Sequence, residues 1–379
     1  MTTTGTRTAV VIGAGPAGAA CAIRLAQSGV EVTLVERSAF PRVKVCGEFV
    51  RPAATRILEA FLPPDRLIAL GARRVDTFTL SHATRGERTR RFPRAGWALS
   101  RGTLDGAFAA CAHDSGVVIE QPAPVRDVRY DEDAVQITLG DGRTLSADVV
   151  VHADGSGRFD PSPTKRGAAP GVVGLKCHYR ATTHGPAKPN PGVVIRAGRG
   201  GYVGLIDVED GLSTCALVAS SDLVREAGGD GDEVVRTLWA DDGTLPITSD
   251  TREGDWLTCG VARSAYVRPG HARSLRAGNA AAAVDPVGGE GIGLALWSGD
   301  RLGAALGASA DWNVSALTAV ERAFAKDYAR RLRLRLPGCR AAAWCVSRAG
   351  LAGALWPMLG GWSPMWPIWF AATGKPLVT

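Results

Sequence analysis

A glycine-rich turn between two apolar runs near the N-terminus constrains the fold more than any other stretch. Arg7 to Arg37 read RTAVVIGAGPAGAACAIRLAQSGVEVTLVER. Thr8 to Ile12 form a short β-branched apolar run, which predicts a buried strand. Pro16 to Ser28 are rich in Ala and predict a helix that ends at Gly29. Val32 to Val35 predict a second strand, so the stretch is a strand–helix–strand unit.

Three glycines after the first strand, Gly13, Gly15 and Gly18, follow the spacing G-x-G-x-x-G. In this pattern the first permits a tight turn, the second lets backbone approach a pyrophosphate, and the third lets the helix lie close to the sheet. The helix N-terminus offers free N–H groups to phosphates. Glu36 follows about 20 residues on, where a carboxylate accepts hydrogen bonds from ribose hydroxyls. The stretch predicts FAD or NAD, and Arg37 is interpreted as a solvated residue at the edge of this site rather than as a ligand of NADP.

The composition fits a globular α/β enzyme. The chain has 379 residues, 45% of them hydrophobic, and a net charge of +7. No Lys/Arg block of the kind found in nucleic-acid-binding tails occurs, so we expect no nucleic-acid partner. The eight cysteines have no C-x-x-C or zinc-like spacing, so we expect no metal. A strand that begins near residue 8 leaves no room for a signal peptide, and no uninterrupted apolar run could span a bilayer, so we expect a cytoplasmic protein without a transmembrane helix.

The loop after the second strand reads SAFPRVKVCGEFVRP and brings Lys44, Cys46, Glu48 and Arg51 close together. One interpretation is a connecting loop with a buried cysteine. The other places the loop at the carboxyl edge of the sheet, where doubly wound folds bind ligands. Cys46 would then lie near a cofactor ring, with Lys44 or Arg51 at its polar edge.

The middle of the chain adds candidate cofactor contacts. Arg101 precedes a helix that Thr103 is predicted to cap, and it either reaches a phosphate or is a surface arginine. Asp154 and Gly155 follow a buried strand, where backbone again approaches a ligand. The predicted helices here are 53–61, 103–113 and 230–240, and the predicted strands are 75–80, 88–92, 117–120, 125–130, 134–139, 144–151, 172–180, 192–197, 202–208, 212–219 and 257–267.

The alternating runs between residues 171 and 270 predict an antiparallel sheet over a substrate cavity. We therefore predict four regions. Residues 1–170 form the first part of a cofactor domain with inserted strands, 171–270 the antiparallel-sheet substrate domain, 271–336 the return of the cofactor domain, and 337–379 a Trp-rich C-terminal cap.

The return segment is again rich in glycine. Gly278-Asn279 and Asp285-Pro286 precede Gly288-Gly289-Glu290-Gly291-Ile292-Gly293, which opens a helix predicted to end near residue 306. Such a helix start favours close backbone approach, and its dipole would stabilise a developing negative charge.

The C-terminal region is basic and aromatic. Ser315 is predicted to cap a helix from Ala316 to Leu336, and five of the ten tryptophans lie between Trp344 and Trp369. One interpretation is a subdomain packed over the cavity. The other is a lid or interfacial anchor for a lipophilic substrate, with peripheral membrane contact supported by the Arg-rich helix.

These three glycine-containing fingerprints, in this order, resemble the FAD-dependent oxidoreductase superfamily of para-hydroxybenzoate hydroxylase-like monooxygenases and geranylgeranyl reductases. The resemblance covers nearly the whole chain. It implies an α/β fold: a Rossmann-like FAD-binding domain with an antiparallel β-sheet substrate domain and a helical C-terminal region. It also implies that FAD is bound with its ring between the two domains.

The resemblance implies roles for individual positions. Glu36 would hold the adenosine ribose, Arg101 would contact the phosphate–ribityl region, and the loop 288–293 would face the N1/C2 edge of the flavin. Lys44-Val45-Cys46-Gly47 is similar to the K-x-C-G stretch of geranylgeranyl reductases, whose cysteine lies near the flavin. The candidate cofactor-binding residues are Gly13, Gly15, Ala17, Gly18, Glu36, Arg37, Cys46, Gly47, Arg101, Asp154, Gly155, Asn279, Asp285, Gly288, Gly289, Gly291 and Ile292. The candidate catalytic residues are Cys46, Lys44 and Tyr202.

Two departures from the superfamily pattern bear on function. Asn279 stands where the third fingerprint usually has Asp, so this position can accept a hydrogen bond but carries no charge. Around Tyr202 the chain reads GYVGLID, without the Trp, Phe and Pro of the Y-x-W-x-F-P motif of prenyl reductases. The W-x-W-x-I-P motif of flavin halogenases is also absent.

Three activities are compatible with these residues. The favoured one is an FAD-dependent monooxygenase of secondary metabolism, which uses NAD(P)H and O2 on a lipophilic, aromatic or polyketide-like molecule, with His178 or Tyr202 as candidate bases. The alternative is a flavin-dependent C=C reductase of the geranylgeranyl reductase type, which the Lys44–Cys46–Glu48 loop favours. The third is a non-catalytic FAD-binding protein, supported only by Asn279.

Overall fold

The computed structural model describes residues 6–155, 158–159, 168–180, 192–240, 243, 245–360 and 365–372. The strands in this part of the chain are β1 (Thr8–Ile12), β2 (Glu31–Val35), β3 (Phe49–Val50), β4 (Arg73–His82), β5 (Gly86–Ala98), β6 (Val118–Glu120), β7 (Val125–Tyr130), β8 (Val135–Leu139), β9 (Thr144–Ala147), β10 (Val149–His152), β11 (Ala168–Arg180), β12 (Val193–Gly198), β13 (Gly201–Asp207), β14 (Leu212–Ser220), β15 (Arg252–Ala262) and β16 (Ser274–Arg276). The α-helices are α1 (Pro16–Gln27), α2 (Thr55–Phe61), α3 (Pro64–Ala69), α4 (Arg101–Asp114), α5 (Ser221–Glu226), α6 (Gly231–Trp239), α7 (Gly291–Gly307), α8 (Val314–Val346), α9 (Ala349–Leu355) and α10 (Met365–Ala372).

A five-stranded sheet, all of whose pairs are parallel, has the order β16-β10-β1-β2-β6. The apolar residues of β1 and β10 are buried on both faces, as continuous β-branched runs predict for a covered parallel sheet. β1 and α1 confirm the predicted strand and helix at the N-terminus, with Ser28 following the last helical residue. The predicted α/β fold with a Rossmann-like domain is confirmed.

Helices α1 and α7 pack closely because glycines face the contact. A Cβ at Gly299 would lie 2.0 Å from the backbone oxygen of Ala17, and one at Gly303 would lie 2.7 Å from that of Cys21. Only glycine fits at this separation. The contact ties the return segment of the chain to the first helix.

A second sheet has the order β15-β11-β14-β13-β12-β4-β5-β3 and is antiparallel except for the pair β12–β4. Three of its strands, β3 to β5, come from the first hundred residues. The predicted hairpin of β4 and β5 is confirmed, whereas β15 ends at Ala262 and not near residue 267 as predicted. The domain bounds given above stay a prediction.

Two predictions around α4 and β9 were wrong in detail. Ser100, not Thr103, caps α4, since its hydroxyl oxygen accepts from the amide of Thr103. The single strand predicted over 144–151 is divided, with β9 in a small sheet with β7 and β8 and β10 in the parallel sheet. Asp148 stands at the division, where its carboxylate accepts from the amide of Thr8 at 2.7 Å and fixes the start of β10 beside β1.

The C-terminal helices cover the large sheet. α8 is capped by Asn313 rather than Ser315 and continues to Val346, past the end predicted at Leu336. Pro337 lies inside it, and buried contacts of the following turns, including Cys339 and Val346, maintain the helix. Trp356, Trp366 and Phe370 pack in one apolar cluster with β4 and β5. Among the described residues, no helix combines the length and apolarity needed to cross a bilayer.

Candidate functional site

Three fingerprints meet at the carboxyl edge of the parallel sheet. The turn after β1 begins at Gly13, whose amide donates to the carbonyl of Val35 at 2.8 Å. Ala153, after β10, donates to Ile12 at 2.8 Å, and Ala277, after β16, donates to His152 at 2.9 Å. Because the three strands are adjacent and parallel, their following loops lie together, at the edge where this fold binds nucleotides.

The three glycines of the first fingerprint meet different surroundings. Gly13 has φ +99°, and a Cβ there would lie 2.8 Å from Cα of Asp154. A Cβ at Gly18 would lie 1.9 Å from the carbonyl oxygen of Gly13. At Gly15 the neighbours are instead guanidinium groups, with Arg101 at 3.5 Å and Arg42 at 3.8 Å from the Cβ position. Gly15 therefore borders a cradle of two guanidinium groups, whose N–H donors fit a pyrophosphate.

The two arginines of this cradle are oriented by one buried carboxylate. Asp105 accepts two hydrogen bonds from Arg101, at 2.8 and 2.7 Å, and lies 2.8 Å from a nitrogen of Arg42. Arg42 also lies 3.1 Å from the carboxylate of Glu36. Two cations held by buried carboxylates keep a fixed position toward an anionic ligand.

Glu36 follows β2 and lies against the turn after β1. Its carboxylate accepts from the amide of Ala14 at 3.0 Å and from that of Ser38 at 3.2 Å. Arg37 is exposed beside it. The structure therefore brings the predicted Glu36, Gly15 and Arg101 into one site, a set that fits the adenosine diphosphate part of FAD.

The third fingerprint packs on the first. Gly278 has φ +60°, its Cβ position lies 2.8 Å from Cβ of Ala17, and its amide donates to the hydroxyl of Ser298 at 2.8 Å. Asn279 is exposed next to it, and Gly155 has φ +80° after β10. Ala17, in the first fingerprint, therefore packs directly against Gly278 of the third fingerprint.

Asp285 and Tyr202 form a buried pair. The hydroxyl of Tyr202 donates to Asp285 at 3.0 Å, and Arg263 lies 2.5 Å from the other carboxylate oxygen. Burial and the neighbouring Asp285 raise the pKa of Tyr202 well above its usual value. The phenol therefore stays protonated, and this geometry does not favour its predicted catalytic role.

The loop from Gly288 to Ile292 has a closed side and an open side. A Cβ at Gly288 would lie 2.7 Å from Sγ of Cys339, whereas nothing lies within 4 Å of the Cβ position of Gly291. Gly289 has φ +62° and faces Arg51. The side chain of Ile292 is buried in the core. The start of α7 at Gly291 is therefore open, and the ligand contact predicted for this loop stays a prediction.

The loop with Lys44 and Cys46 lies against the cradle. Burial raises the pKa of the Cys46 thiol, although Arg101 opposes this shift, so the group is a neutral thiol at neutral pH. Burial and the nearby Arg42 lower the pKa of Lys44. Nothing lies within 4 Å of the Cβ position of Gly47.

Glu48 is the centre of a buried polar network that joins this loop to the large sheet. Its carboxylate lies 2.8 Å from Nζ of Lys176, 2.7 Å from Nε2 of His178 and 2.5 Å from the hydroxyl of Thr214. The amide of Arg101 donates to it at 2.7 Å. Glu48 itself has φ +52°, a conformation that costs on the order of 1 kcal/mol for a non-glycine residue and is found at functional sites.

The network sets the charge of Glu48. Burial alone would raise the pKa of Glu48, but the hydrogen bond with His178 and the charge of Lys176 outweigh it and lower the pKa to about 2. An ionised carboxylate only accepts hydrogen bonds, so Nε2 of His178 carries a proton. His178 is 13% exposed while Glu48 and Lys176 are almost fully buried, so His178 is the member open to a ligand.

Sequence reasoning missed Arg42, Asp105, Lys176 and Thr214 as site residues. One signal was available for Lys176. In β11 the apolar residues Leu175, Cys177 and Tyr179 alternate with Lys176 and His178, which must share the other face. A lysine and a histidine on the inner face of a sheet predict a buried acidic partner, but not which one.

The chain is similar to known oxidoreductases. The family model of pyridine nucleotide-disulphide oxidoreductases matches residues 7–205. The menaquinone reductase of Mycolicibacterium smegmatis is 30% identical over 370 residues, covering 86% of this chain and 84% of that protein. The menaquinone reductase of Mycobacterium tuberculosis is 30% identical over 335 residues, covering 78% and 75%.

Solved structures share the fold. A flavoprotein/dehydrogenase from Cytophaga hutchinsonii has a TM-score of 0.76 at 22% identity. The match covers 97% of this chain and 93% of the flavoprotein. PqsL of P. aeruginosa, in complex with 2-aminobenzoylacetate, has a TM-score of 0.74 at 18% identity. The match covers 93% of this chain and 100% of PqsL. The flavin-dependent brominase Bmp2 has a TM-score of 0.76 at 19% identity, with coverage of 97% and 93%. The chain belongs to the pyridine nucleotide-disulphide oxidoreductase family, and it shares its fold with the flavin-dependent proteins named above.

Proposed function

We propose that this flavin oxidoreductase is a reductase that adds a hydride and a proton across a C=C bond of a lipophilic, isoprenoid- or quinone-type compound. The observation that carries the proposal is the network of Glu48, Lys176 and His178 beside Cys46. It supplies a proton-bearing group next to the proposed cofactor site. The similarity to two menaquinone reductases over most of the chain supports a reductase that acts on a quinone-type compound.

The proposed cofactor site holds FAD along the carboxyl edge of the parallel sheet. Glu36 would accept from the ribose, Arg42 and Arg101 would face the pyrophosphate, and the start of α7 would face the flavin. When bound, FAD supplies a two-electron carrier that donates a hydride. The donor that reduces it is proposed to be NADH or NADPH.

The protein must supply the proton. His178 contacts Glu48 through Nε2 and is partly exposed, and it is proposed to deliver the proton to the substrate carbon that does not receive the hydride. Glu48 is held ionised by its hydrogen bond with His178 and by the charge of Lys176, so it orients the imidazole and does not itself donate. Cys46, a neutral thiol beside Glu48, is the second candidate donor.

Hydroxylation remains the second candidate. It is favoured by the absence of the Trp, Phe and Pro of the prenyl reductase motif around Tyr202. A monooxygenase would use the same FAD site with O2 to oxidise an aromatic or polyketide-like molecule in secondary metabolism. The two reactions differ in the product, which gains hydrogen in one and oxygen in the other.

Product analysis tests the proposal. The purified flavoprotein is incubated with NADPH or NADH and a menaquinone in detergent micelles, under nitrogen and under air, and the extracted lipid is analysed by mass spectrometry. The proposal predicts a product that is heavier by two hydrogens in both atmospheres and keeps that mass after any quinol has been reoxidised to the quinone. A product heavier by one oxygen, formed only under air, would contradict it and favour the monooxygenase. Bound flavin with no product from menaquinones, polyprenyl lipids or aromatic compounds would favour a non-catalytic role.

A further inference from the structure

The net positive charge of the chain is confined to its C-terminal end. Residues 328–379 contain seven of the 44 basic residues and none of the 37 acidic ones. The remaining 327 residues carry 37 of each sign and are therefore neutral. These 52 residues therefore carry the whole net charge of +7.

Part of this charge lies on one exposed helix face. In the second half of α8 the exposed positions recur every three or four residues, as one face of a helix does. We call this the basic face; its members are Arg330, Arg333, Leu334, Pro337, Arg340, Ala341 and Trp344. Arg348 follows just beyond the helix end. The other side of α8 is buried through Leu332, Cys339 and Val346.

The arginines of the basic face retain charge for a ligand. Within the described part of the chain, Arg333 and Arg340 have no carboxylate partner. Arg330 is paired with Asp327. The guanidinium of Arg348 lies 4.6 Å from the ring centre of Trp344, so the two side chains form one cationic and aromatic group.

The same region exposes large apolar side chains. Leu334 is 61% exposed and Trp344 is 53% exposed on the basic face, and Met358 and Ile368 on the adjoining segments are 50% and 58% exposed. These are half of the eight large apolar side chains that are mostly exposed in the described residues. Arginine and tryptophan with exposed aliphatic groups are the residue types found at bilayer interfaces.

We propose that the basic face docks this protein on an anionic phospholipid surface. The arginines would contact lipid phosphates, while Trp344 and Leu334 would enter the boundary between headgroups and acyl chains. An acidic protein or nucleic acid would match the charge but would leave these apolar groups without a partner. Docking would place the large sheet, on which α10 packs, near a substrate dissolved in the membrane. The inference does not rest on the proposed reaction, because vesicle binding is measured without turnover.

Vesicle binding tests the inference. The flavin-loaded protein is sedimented with vesicles of phosphatidylcholine alone and with vesicles containing equal phosphatidylglycerol and phosphatidylcholine. We expect at least about tenfold tighter binding to the anionic vesicles, and its loss at about 0.5 M NaCl, where screening shortens the reach of charges to roughly 4 Å. Equal binding to both vesicles, or binding to neither, would overturn the inference.

Matched variants locate the contact. Arg333→Glu with Arg340→Glu should weaken binding to anionic vesicles by about tenfold or more, and Trp344→Ser should weaken it by about threefold or more. Arg56→Glu with Arg126→Glu makes the same charge change at exposed arginines elsewhere and should keep binding within about twofold. Circular dichroism and flavin absorbance check that each variant is folded. An equal loss in the Arg56/Arg126 control would contradict docking through the basic face.

Discussion

Glu48 combines three unusual features of the site. It has a left-handed backbone, is fully buried, and joins the loop of the parallel sheet to Lys176, His178 and Thr214 of the large sheet. The sequence identified the loop and its cysteine but not this role. The contact between Glu48 and Lys176 spans 128 positions of the chain, and no local pattern encodes which glutamate a buried lysine meets.

Removing the charge of Glu48 should destabilise the protein and change its response to acid. Glu48→Gln leaves Lys176 buried without its counter-ion, so we expect a loss of about 3 kcal/mol in the free energy of unfolding at pH 7. The folded-state pKa of about 2 lies below the ordinary 4.5, so the stabilisation is present above 4.5 and is lost as pH falls toward 2. Urea unfolding between these pH values should therefore show a smaller loss of stability in the variant than in the wild type.

The exposed Glu31→Gln variant is the control for this measurement, because it removes one carboxylate without breaking a buried pair. It should follow the wild-type acid dependence. A Glu48→Gln variant whose stability equals that of the wild type at pH 7 would show that the network does not hold the loop.

Cys46→Ser should separate a chemical role from a structural one. The change is small, so flavin content should be retained. If the thiol donates or positions a proton, turnover should fall by about tenfold or more. Cys345→Ser, on the half-buried part of α8, is the matched control and should leave turnover unchanged. Unchanged turnover in Cys46→Ser would assign this cysteine to packing alone.

At the scale of elements, the turn between β1 and α1 illustrates what sequence can predict. Its strand, glycines and helix are encoded within about thirty neighbouring residues, and each agrees with the structure. The division between β9 and β10 was missed because it depends on Asp148 binding Thr8, 140 positions away. The end of α8 was missed because buried contacts beyond Pro337 outweigh its local signal.

Gly15→Val should abolish flavin binding without unfolding the protein. Gly15 has φ −78°, and the atoms nearest to its Cβ position are guanidinium nitrogens at 3.5 and 3.8 Å, so a larger side chain begins in ordinary van der Waals contact and strains no backbone. The valine would occupy the pyrophosphate path. Absorbance of the purified variant should show no flavin while its circular dichroism and thermal midpoint stay close to those of the wild type.

Gly350→Val on α9, where nothing lies within 4 Å of the Cβ position, is the control and should purify with flavin. A Gly15→Val variant that still binds flavin would contradict the cofactor site assigned to this turn.

At the scale of the whole molecule, the two sheets and helix α8 have different roles. The parallel sheet holds the cofactor fingerprints, the large sheet brings Lys176 and His178 to the loop, and α8 presents the basic face. The sequence predicted the two-sheet architecture through its fingerprints and alternating runs. It did not predict that β3 to β5 join the large sheet, because strand order depends on contacts between distant segments.

The central claim is that the protein passes a hydride to a lipophilic substrate with a proton from the Glu48 network. A stopped-flow experiment tests it most directly. Dithionite-reduced flavoprotein is mixed with a polyprenyl quinone in the absence of oxygen, and flavin absorbance is followed for the wild type and for His178→Gln. The account predicts rapid oxidation of the flavin by the wild type and at least about tenfold slower oxidation by the variant, with equal flavin content. Flavin that stays reduced until oxygen is admitted would contradict the account.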